Sequence, residues 1–540
     1  MRFALWVVAA IALATVLARS ARVGLAGDYV DPVGRVTAQD EALYANSSIR
    51  MATQGGWLTP EFMGRYALYK PPMLYWLSAA SARAFGISKL SLRLPVAVLA
   101  AISAGLLFLW VAELAEWAAA ALALALLVSN HLWHVLSGMA MTDGLLTAFT
   151  VAAVYALFAD PWLESKWAFW GFAGAVACAI LTKGVAGVLP LAVLGAYWIV
   201  APRKYRPRFS RVVLAGALAV ALAAPWFCYQ LAVHGRWFGT EHVAVEILGY
   251  GAGAPPQTSA ENPALFYAMR MALTDPMLLA AALVALPALI LALRHRSPPA
   301  VLLACWLGVT GTAILGWQYR NAAYLLPMVP ALAILAAAYG PLAAGTPSKG
   351  VLAIALALVV AKAATPGAPW GMSFAKGTVQ PLAAPLQSYC EMGRTSELIV
   401  VGMGDDLYAA ALPLARLRYA LVGAPAPPSG PYTMNFPEMG IVVTAGQFDH
   451  LAQWLPIFRE RLKQWGLDST APVGTLIEAA TPAELAEVVR AHPDSDFLMP
   501  DRYAGMADAA HVRVEAFPDH YFLLSRHAEA RRAPTYCTAM

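Results

Sequence analysis

Charged residues are scarce in this chain. Only 13% of its 540 residues are Asp, Glu, Lys or Arg, whereas 60% are hydrophobic. Because soluble domains carry about a quarter charged residues, this composition excludes an ordinary soluble protein. No basic patch with interleaved aromatic residues occurs in the sequence, so nucleic acid is excluded as a partner. The scarcity of charge therefore predicts a polytopic α-helical membrane protein.

Cysteines are also few, with five in the whole chain, so a disulfide-rich scaffold is excluded. Cys178, Cys228 and Cys305 lie in apolar stretches and are interpreted as small core residues. Cys390 and Cys537 lie in the polar C-terminal part. They could form a disulfide if that part is outside the cytoplasm. Two free thiols are an equal alternative, because the sequence does not give the separation of the two residues.

Long apolar runs fill the first 365 residues. A membrane-spanning helix needs roughly 20 mostly apolar residues, and about eleven such stretches are present. The predicted spans lie near 3–18, 91–112, 115–134, 139–159, 167–182, 185–201, 211–229, 275–293, 299–316, 322–340 and 350–365. The first stretch could instead be a cleaved signal peptide, but either interpretation leaves the residues after it on the outer side.

The basic loops predict the orientation of the spans. Counted from a cytoplasmic N-terminus, the loop at 202–211 is inside, and it carries Arg203, Lys204, Arg206, Arg208 and Arg211. Cytoplasmic loops of membrane proteins carry such an excess of Lys and Arg. The same count places two long loops outside, at about 20–90 and 230–274.

The composition changes after residue 365, where a linker rich in Pro and Gly precedes a stretch that is soluble in character. Thr481-Pro482-Ala483-Glu484 forms a capping box with Pro at the first helical position. Short β-type runs alternate with helical patterns, at Leu398–Val401, Gly440–Val443, Thr475–Ile477 and Asp496–Met499. This alternation predicts a C-terminal soluble α/β domain over 366–540, outside the membrane, after a membrane domain over 1–365.

The polar residues of the apolar part collect at one predicted face. Ionisable residues at membrane boundaries are costly and indicate function by default. Those predicted to reach the outer side include Asp40, Glu41, Lys70, Asp143, Lys183, His242, Arg320 and Tyr324. Lysines and an arginine that converge with carboxylates suit an anionic lipid headgroup, such as a phosphate. A carboxylate beside them could act as general base on an acceptor hydroxyl.

Short motifs follow one another in a defined order over roughly the first 330–340 residues. The first loop contains Asp40-Glu41-Ala42-Leu43-Tyr44-Ala45, Gly56-Trp57-Leu58-Thr59-Pro60 and Lys70-Pro71-Pro72-Met73-Leu74-Tyr75-Trp76. Later motifs are Thr142-Asp143, Leu181-Thr182-Lys183-Gly184, Pro225-Trp226-Phe227, Glu241-His242 and Tyr324-Leu325-Leu326-Pro327. This ordered set resembles bacterial membrane glycosyltransferases with the GT-C fold, the aminoarabinose-transferase-like and protein-mannosyltransferase-like enzymes.

The resemblance implies a hexosyl- or pentosyltransferase that takes a sugar from a polyprenyl-phosphate donor, with inversion, on the periplasmic face of the inner membrane. The acceptor would be a glycan, a lipid or a protein. By position, Asp40 matches the family's catalytic acidic residue and is the expected general base, and Asp143 matches its second essential aspartate. Lys70 and Lys183 match lysines associated with the donor phosphate. The other predicted binding residues are Glu41, His242, Arg320 and Tyr324.

Two positions depart from the family pattern. Tyr69 stands where aminoarabinose transferases have a glutamate that helps a histidine to hold zinc. His242 matches that histidine, but the missing carboxylate weighs against a divalent metal, and no cofactor is assigned. Val245 stands where the family has an arginine. The resemblance therefore does not identify which sugar this chain transfers or which acceptor it uses.

Two other functions fit parts of the pattern. A transporter or flippase for lipid-linked sugars would also combine many spans with charged residues, but at mid-span and in repeat-related halves. Here the charges lie at span ends and no fixed repeat is present, which favours the enzyme. A non-catalytic scaffold is disfavoured by the intact Asp40, Asp143 and Lys70. Glu41 is interpreted as more structural than substrate-contacting, and Glu246 as a solvated surface residue.

Overall fold

The structure, a computed structural model, describes most of the membrane part and shorter stretches of the C-terminal part. The described residues are 38–62, 65–235, 238–239, 242–243, 246–247, 262–317, 319–340, 389, 392, 398–401, 419–423, 432–436, 441–445, 476–478, 482–501, 512–517 and 521–525. The predicted spans at 3–18 and 350–365, and the predicted domain boundary at 365, lie outside the described residues. The extents of the two domains stay predictions.

A helix pair and a small hairpin precede the first described span. Helix α1 is Ala38–Gln54. The antiparallel strands β1 (Glu61–Phe62) and β2 (Arg65–Tyr66) follow it. Helix α2 is Met73–Phe85, and it packs against α1. This part of the chain forms the predicted first outer loop.

The helices of the described membrane part follow in close succession. They are α3 (Lys89–Leu114), α4 (Trp117–Ser129), α5 (His131–Leu136), α6 (Thr142–Ala159), α7 (Lys166–Lys183), α8 (Leu189–Val200), α9 (Phe209–His234), α10 (Pro263–Thr274), α11 (Pro276–Arg294), α12 (Pro298–Gly316) and α13 (Val329–Ala338). Short 3-10 helices lie at Gly184–Val188, Arg203–Tyr205 and Ala322–Met328. Among the residues that the structure describes, six stretches are long and apolar enough to cross a membrane, namely Leu90–Leu114, Thr142–Ala159, Lys166–Val200, Phe209–His234, Pro276–Arg294 and Pro298–Gly316.

Nine of the predicted spans fall within the described residues, and each contains an observed helix. The predicted span at 115–134 is interrupted at Asn130, which ends α4. The side-chain oxygen of Asn130 accepts a hydrogen bond from the Trp133 backbone at 2.9 Å, and its amide donates to Asp275 Oδ2 at 2.9 Å. One asparagine hardly changes the average hydropathy, so the sequence did not reveal this break. The fold class of a polytopic helical membrane protein is confirmed.

Consecutive spans are joined by short connections, so they run in alternate directions. The first outer loop, the start of α6 and the end of α7 consequently share one face of the bundle. The basic segment Arg203–Tyr205 and the end of α11 at Arg294 lie at the opposite face. This separation agrees with the predicted orientation, in which basic loops face the cytoplasm.

The first outer loop is tied to the end of α9. The Trp226 indole and the Gln230 amide both donate hydrogen bonds to the Leu58 carbonyl, at 2.7 and 2.6 Å. The Trp76 indole on α2 donates to the Trp57 carbonyl at 2.5 Å. Backbone carbonyls that leave water need such partners. The loop therefore has a defined position over the helix bundle.

Helix α6 lies at the centre of the bundle. It is the most enclosed of the six spanning stretches, with 72% of its residues buried. It packs against α3 and α7, and the ring of Trp110 on α3 stacks on Phe158 with centroids 4.4 Å apart. Because α6 is held from several sides, its first turn has a fixed place at the outer face.

The described C-terminal strands form a mixed sheet with the order β7-β4-β3-β8-β10-β9. These strands are β3 (Leu398–Val401), β4 (Tyr419–Gly423), β7 (Leu476–Glu478), β8 (Asp496–Pro500), β9 (Val512–Phe517) and β10 (Tyr521–Ser525). Helix α14 is Pro482–Ala491, and it begins where the capping box predicts. The predicted run at 440–443 overlaps β6 (Ile441–Ala445), which pairs with β5 (Tyr432–Phe436) in a separate two-stranded sheet. The predicted α/β character is confirmed.

The close packing of α6 against its neighbouring helices can be tested at Gly144, in its first turn. A Cβ atom added at Gly144 would lie 2.6 Å from the Leu136 carbonyl oxygen and 2.9 Å from Val96 Cγ1. We expect Gly144→Ala to lower the free energy of unfolding by about 1–3 kcal/mol, because backbone must move to admit the methyl group. Thermal unfolding of the detergent-solubilised protein measures this change.

A matched control is Gly174→Ala on α7, where an added Cβ meets nothing within 4 Å. Alanine is the better helix former, by up to about 1 kcal/mol. The control should be neutral or stabilising. Equal unfolding temperatures for the two variants would contradict the packing at Gly144.

Candidate active site

An ion pair joins the outer ends of α6 and α7. Lys183 Nζ donates to Asp143 Oδ1 at 2.5 Å, and the two side chains are only 14% and 8% exposed. Asp143 lies in the first turn of α6 and Lys183 is the last residue of α7. Each charge is therefore also favoured by the dipole of its own helix. Lys183 Nζ lies 4.8 Å from the ring centre of Tyr324, which adds a cation–π contact.

A second ion pair forms between Lys70 and Glu246. Lys70 precedes the Pro71-Pro72 step that leads into α2. The two side chains are 20% and 18% exposed. The prediction that Glu246 is a solvated surface residue is therefore wrong. The sequence signal was weak, since Glu246 follows His242 by four residues but nothing in the pattern indicates its partner 176 residues away.

His242 connects the two ion pairs. Its Nδ1 donates to the Tyr69 carbonyl at 3.0 Å, and Tyr69 is next to Lys70. Its ring stacks on Phe238, with centroids 5.1 Å apart and an interplanar angle of 8°. On the other side lies Gly184, which follows Lys183 directly and has a φ of +52°. A Cβ at Gly184 would lie 3.3 Å from His242 Nε2, so glycine permits this close approach.

Burial lowers the pKa of His242, because the charged imidazolium would lose its hydration. The hydrogen bond to Tyr69 and the negative charge of Glu246 oppose this effect, while Lys70 reinforces it. The neutral ring donates from Nδ1, so its Nε2 carries a lone pair directed toward Gly184. His242 can therefore accept a hydrogen bond at the junction of the two ion pairs.

The residues around His242 do not assemble a zinc site within the described part of the chain. No group of three His, Cys, Asp or Glu side chains with metal-binding geometry occurs there. Nδ1 of His242 is engaged by the Tyr69 carbonyl, and Glu246 pairs with Lys70. Zinc needs three or four protein ligands, so the described residues around His242 do not fit a zinc centre.

Glu41 pairs with Arg93 and takes no part in the two lysine ion pairs. Its side chain is fully buried, and both carboxylate oxygens accept hydrogen bonds from Arg93 at 2.6 Å. Arg93 is a residue that sequence reasoning missed, although a charged side chain near the start of a predicted span was an available signal. Asp40 precedes Glu41 on α1, and its side chain lies outside what the structure describes.

Arg320 lies on the same segment as Tyr324. Its side chain is buried, at 7% exposure. The neighbouring Asn321 accepts a hydrogen bond from the Ala323 backbone at 2.9 Å and starts the 3-10 helix that carries Tyr324. The structure thus brings together Lys70, Asp143, Lys183, His242 and Tyr324, with Arg320 on the connection that leads to Tyr324. The catalytic and binding roles of these residues stay predictions.

The fold and this cluster define a multi-spanning membrane protein with a partly buried, charged site at one end of its helix bundle. Residues 69–229 match the family described as dolichyl-phosphate-mannose-protein mannosyltransferase. This match contains Lys70, Asp143 and Lys183 but ends before His242. The matched residues therefore include both lysines of the site and the aspartate that pairs with Lys183.

Relatives with assigned names are undecaprenyl phosphate-alpha-4-amino-4-deoxy-L-arabinose arabinosyl transferases. The protein of Erwinia tasmaniensis is 28% identical over 70% of this chain and 67% of its own length. That of Edwardsiella ictaluri is 29% identical over 37% of each chain. The chain spans between 37% and 40% of the length of several curated relatives that it matches.

A solved structure shows the same fold. The crystal structure of ArnT from Cupriavidus metallidurans bound to undecaprenyl phosphate matches with a TM-score of 0.66 and 16% identity. The match covers 98% of this chain and 99% of that one. Together these findings confirm the resemblance to the aminoarabinose-transferase-like and protein-mannosyltransferase-like membrane glycosyltransferases of the GT-C fold.

The buried, neutral His242 makes stability depend on pH. Its pKa in the folded protein lies below the value of 6.5 expected for the unfolded chain, so the unfolded state binds the proton first. The free energy of unfolding should therefore fall as the pH decreases below about 6.5, until the folded-state pKa is also passed. We expect His242→Gln, which retains a donor for Tyr69, to lose part of this acid sensitivity.

Thermal unfolding between about pH 8 and about pH 5 measures the effect. The control is His295→Gln, an exposed histidine at the opposite face of the bundle. Acid sensitivity that is identical in His242→Gln and the wild type would show that His242 is not held neutral.

Proposed function

We propose that the protein transfers a sugar from a polyprenyl-phosphate donor to an acceptor hydroxyl or phosphate at the periplasmic face of the bacterial inner membrane. One observation carries the proposal: two lysines and two carboxylates meet around His242, at the outer end of a bundle of spanning helices. The relatives of Erwinia tasmaniensis and Edwardsiella ictaluri, which are named as undecaprenyl-phosphate-dependent transferases, support a donor of this class. The undecaprenyl phosphate in the matched ArnT structure supports the same lipid.

The proposed chemistry follows from the charges. Lys70 and Lys183 bind the phosphate of the donor. Arg320, four residues before Tyr324, adds a third positive charge to this part of the site. The acceptor oxygen forms a bond to the anomeric carbon, the bond from that carbon to the phosphate oxygen breaks, and polyprenyl phosphate leaves. The lysines stabilise the negative charge that develops on the leaving phosphate.

The two aspartates have different proposed roles. Asp143 is engaged by Lys183 at 2.5 Å, which supports a role in orienting Lys183 and the donor. Asp40 is the proposed general base, which takes the proton from the acceptor hydroxyl. A base on the face opposite the leaving phosphate gives inversion in one displacement. The assignment of Asp40 rests on its place in the first-loop motif.

In the structure, both lysines of the site are paired with carboxylates. Glu246 neutralises Lys70, and Asp143 neutralises Lys183. A phosphate and a carboxylate bind a lysine in the same way, so the donor must compete with Glu246 for Lys70. We propose that Glu246 holds Lys70 in place until the phosphate replaces it.

A transporter for lipid-linked sugars is not favoured. Asp143 lies in the first turn of α6 and Lys183 at the last residue of α7. Charges at helix ends suit a reaction at one membrane surface, whereas a transport path needs binding groups near mid-span. The C-terminal α/β domain is proposed to lie on the same periplasmic side as the site.

The activity test uses purified protein, radiolabelled polyprenyl-phosphate sugar and a panel of glycan, lipid and peptide acceptors. We expect Asp40→Asn to lower kcat by at least about 100-fold, because the amide cannot accept the acceptor proton. Glu164→Gln, an exposed carboxylate at the opposite face, is the control and should leave kcat unchanged. Equal turnover by Asp40→Asn and wild type would remove Asp40 from the role of base.

The proposed competition between Glu246 and the donor phosphate for Lys70 leads to a separate prediction. We expect Glu246→Gln to lower the donor KM several-fold with little change in kcat, because the phosphate no longer displaces a carboxylate. The control is Glu61→Gln, which breaks the comparable Glu61–Arg50 pair of 2.6 Å in the first outer loop. An increased donor KM in Glu246→Gln would mean that Glu246 helps to bind the donor and does not compete with it.

A further inference from the structure

Three hydrogen bonds to one carboxylate join three separate elements of the fold. Glu41 on α1 accepts from Arg93 Nε at Oε1 and from an Arg93 terminal nitrogen at Oε2, both at 2.6 Å. Oε1 also accepts from the backbone N–H of Ala140 at 2.8 Å. Arg93 belongs to α3, and Ala140 lies in the turn just before α6. Glu41 and Arg93 are both fully buried, at 0% exposure.

Stability alone does not account for such a pair. Burying two charges costs several kcal/mol per ion, and replacing a buried pair by apolar side chains of similar volume is often neutral or stabilising. The geometry here is specific, because the planar guanidinium and the carboxylate bond at two points. An arrangement of this kind fixes the relative position of the elements that it joins.

The elements joined by Glu41 carry the two aspartates of the proposed site. Asp40 is the residue before Glu41 on α1. Asp143 follows Ala140 by three residues and lies in the first turn of α6. The Glu41 carboxylate therefore connects the backbone next to Asp40 with the backbone next to Asp143, and Arg93 anchors both to a spanning helix.

We propose that Glu41 is a positioning residue, which with Arg93 sets the separation of Asp40 and Asp143 for the sugar transfer. This inference rests on the proposed function, and it develops the sequence-based interpretation of Glu41 as more structural than substrate-contacting. Glu41 acts through the backbone of α1 and the turn before α6, and it touches neither donor nor acceptor. A displacement of about 1 Å in a reacting group can cost about 100-fold in rate.

A double variant that removes both members of the pair distinguishes an effect on the positions of Asp40 and Asp143 from an effect on the stability of the protein. Glu41→Met/Arg93→Met leaves no unpaired buried charge and fills a similar volume. The Ala140 N–H loses its acceptor, at a cost of about 1–3 kcal/mol, which offsets the gain of about 1–4 kcal/mol that can follow from removing two buried charges. We expect this double variant to unfold near the wild-type temperature and to keep a donor KM within about threefold of wild type. Its kcat should fall by about 10- to 100-fold, because only the approach of acceptor and base is disturbed.

Hydrogen exchange supplies a readout that does not need activity. Peptides from α1 and from the segment around Ala140 should exchange faster in the double variant, while peptides from α9 and α11 should not change. Unchanged exchange in α1 at native stability would overturn the proposal, and so would wild-type kcat. If the wild type itself transfers no sugar to any acceptor, the proposed function fails, while the exchange result still decides whether Glu41 holds α1 in place.

A second variant covers the case in which the double variant does not fold. Arg93→Lys keeps the buried positive charge but cannot bond both carboxylate oxygens with a planar fork. We expect it to lower kcat more than it raises the donor KM and to increase exchange in α1. A folded Arg93→Lys protein with wild-type kcat and wild-type exchange would contradict the positioning role.

Discussion

Charges that leave water must be paired, and this constraint organises the outer face of the bundle. An isolated ion in a low-dielectric environment is very costly, and the chain has few charged residues to arrange. The most enclosed pairs there are Glu41 with Arg93, Asp143 with Lys183, and Lys70 with Glu246. Each pair connects elements that are distant in the sequence. The same contacts that compensate the charges therefore also assemble the site.

The three pairs differ in their access to water, and this difference suits different tasks. The Glu41–Arg93 pair is fully enclosed, whereas the two lysine pairs keep some exposure. An enclosed pair is fixed in geometry, and a partly exposed pair can exchange its partner for another anion. The site thus combines a fully buried connection between α1 and α3 with two lysines that keep some exposure, and His242 lies between the two lysine pairs.

Much of the helical framework could be predicted from the sequence, because apolar length is a local property. The nine predicted spans within the described residues each contain a helix, whereas the break at Asn130 escaped detection because it depends on contacts with Trp133 and Asp275. The partners at the site were harder to predict. Glu41 and Arg93 are 52 residues apart, and Lys70 and Glu246 are 176 apart. No local pattern of charge or hydropathy encodes such distant contacts.

The buried Arg93 also has a consequence for biosynthesis. An arginine in the first turns of a spanning helix opposes insertion of that helix into the bilayer. Glu41 precedes Arg93 by 52 residues, so the acidic partner is synthesised before the arginine. The order of the two residues along the chain thus matches the order in which the nascent protein needs them.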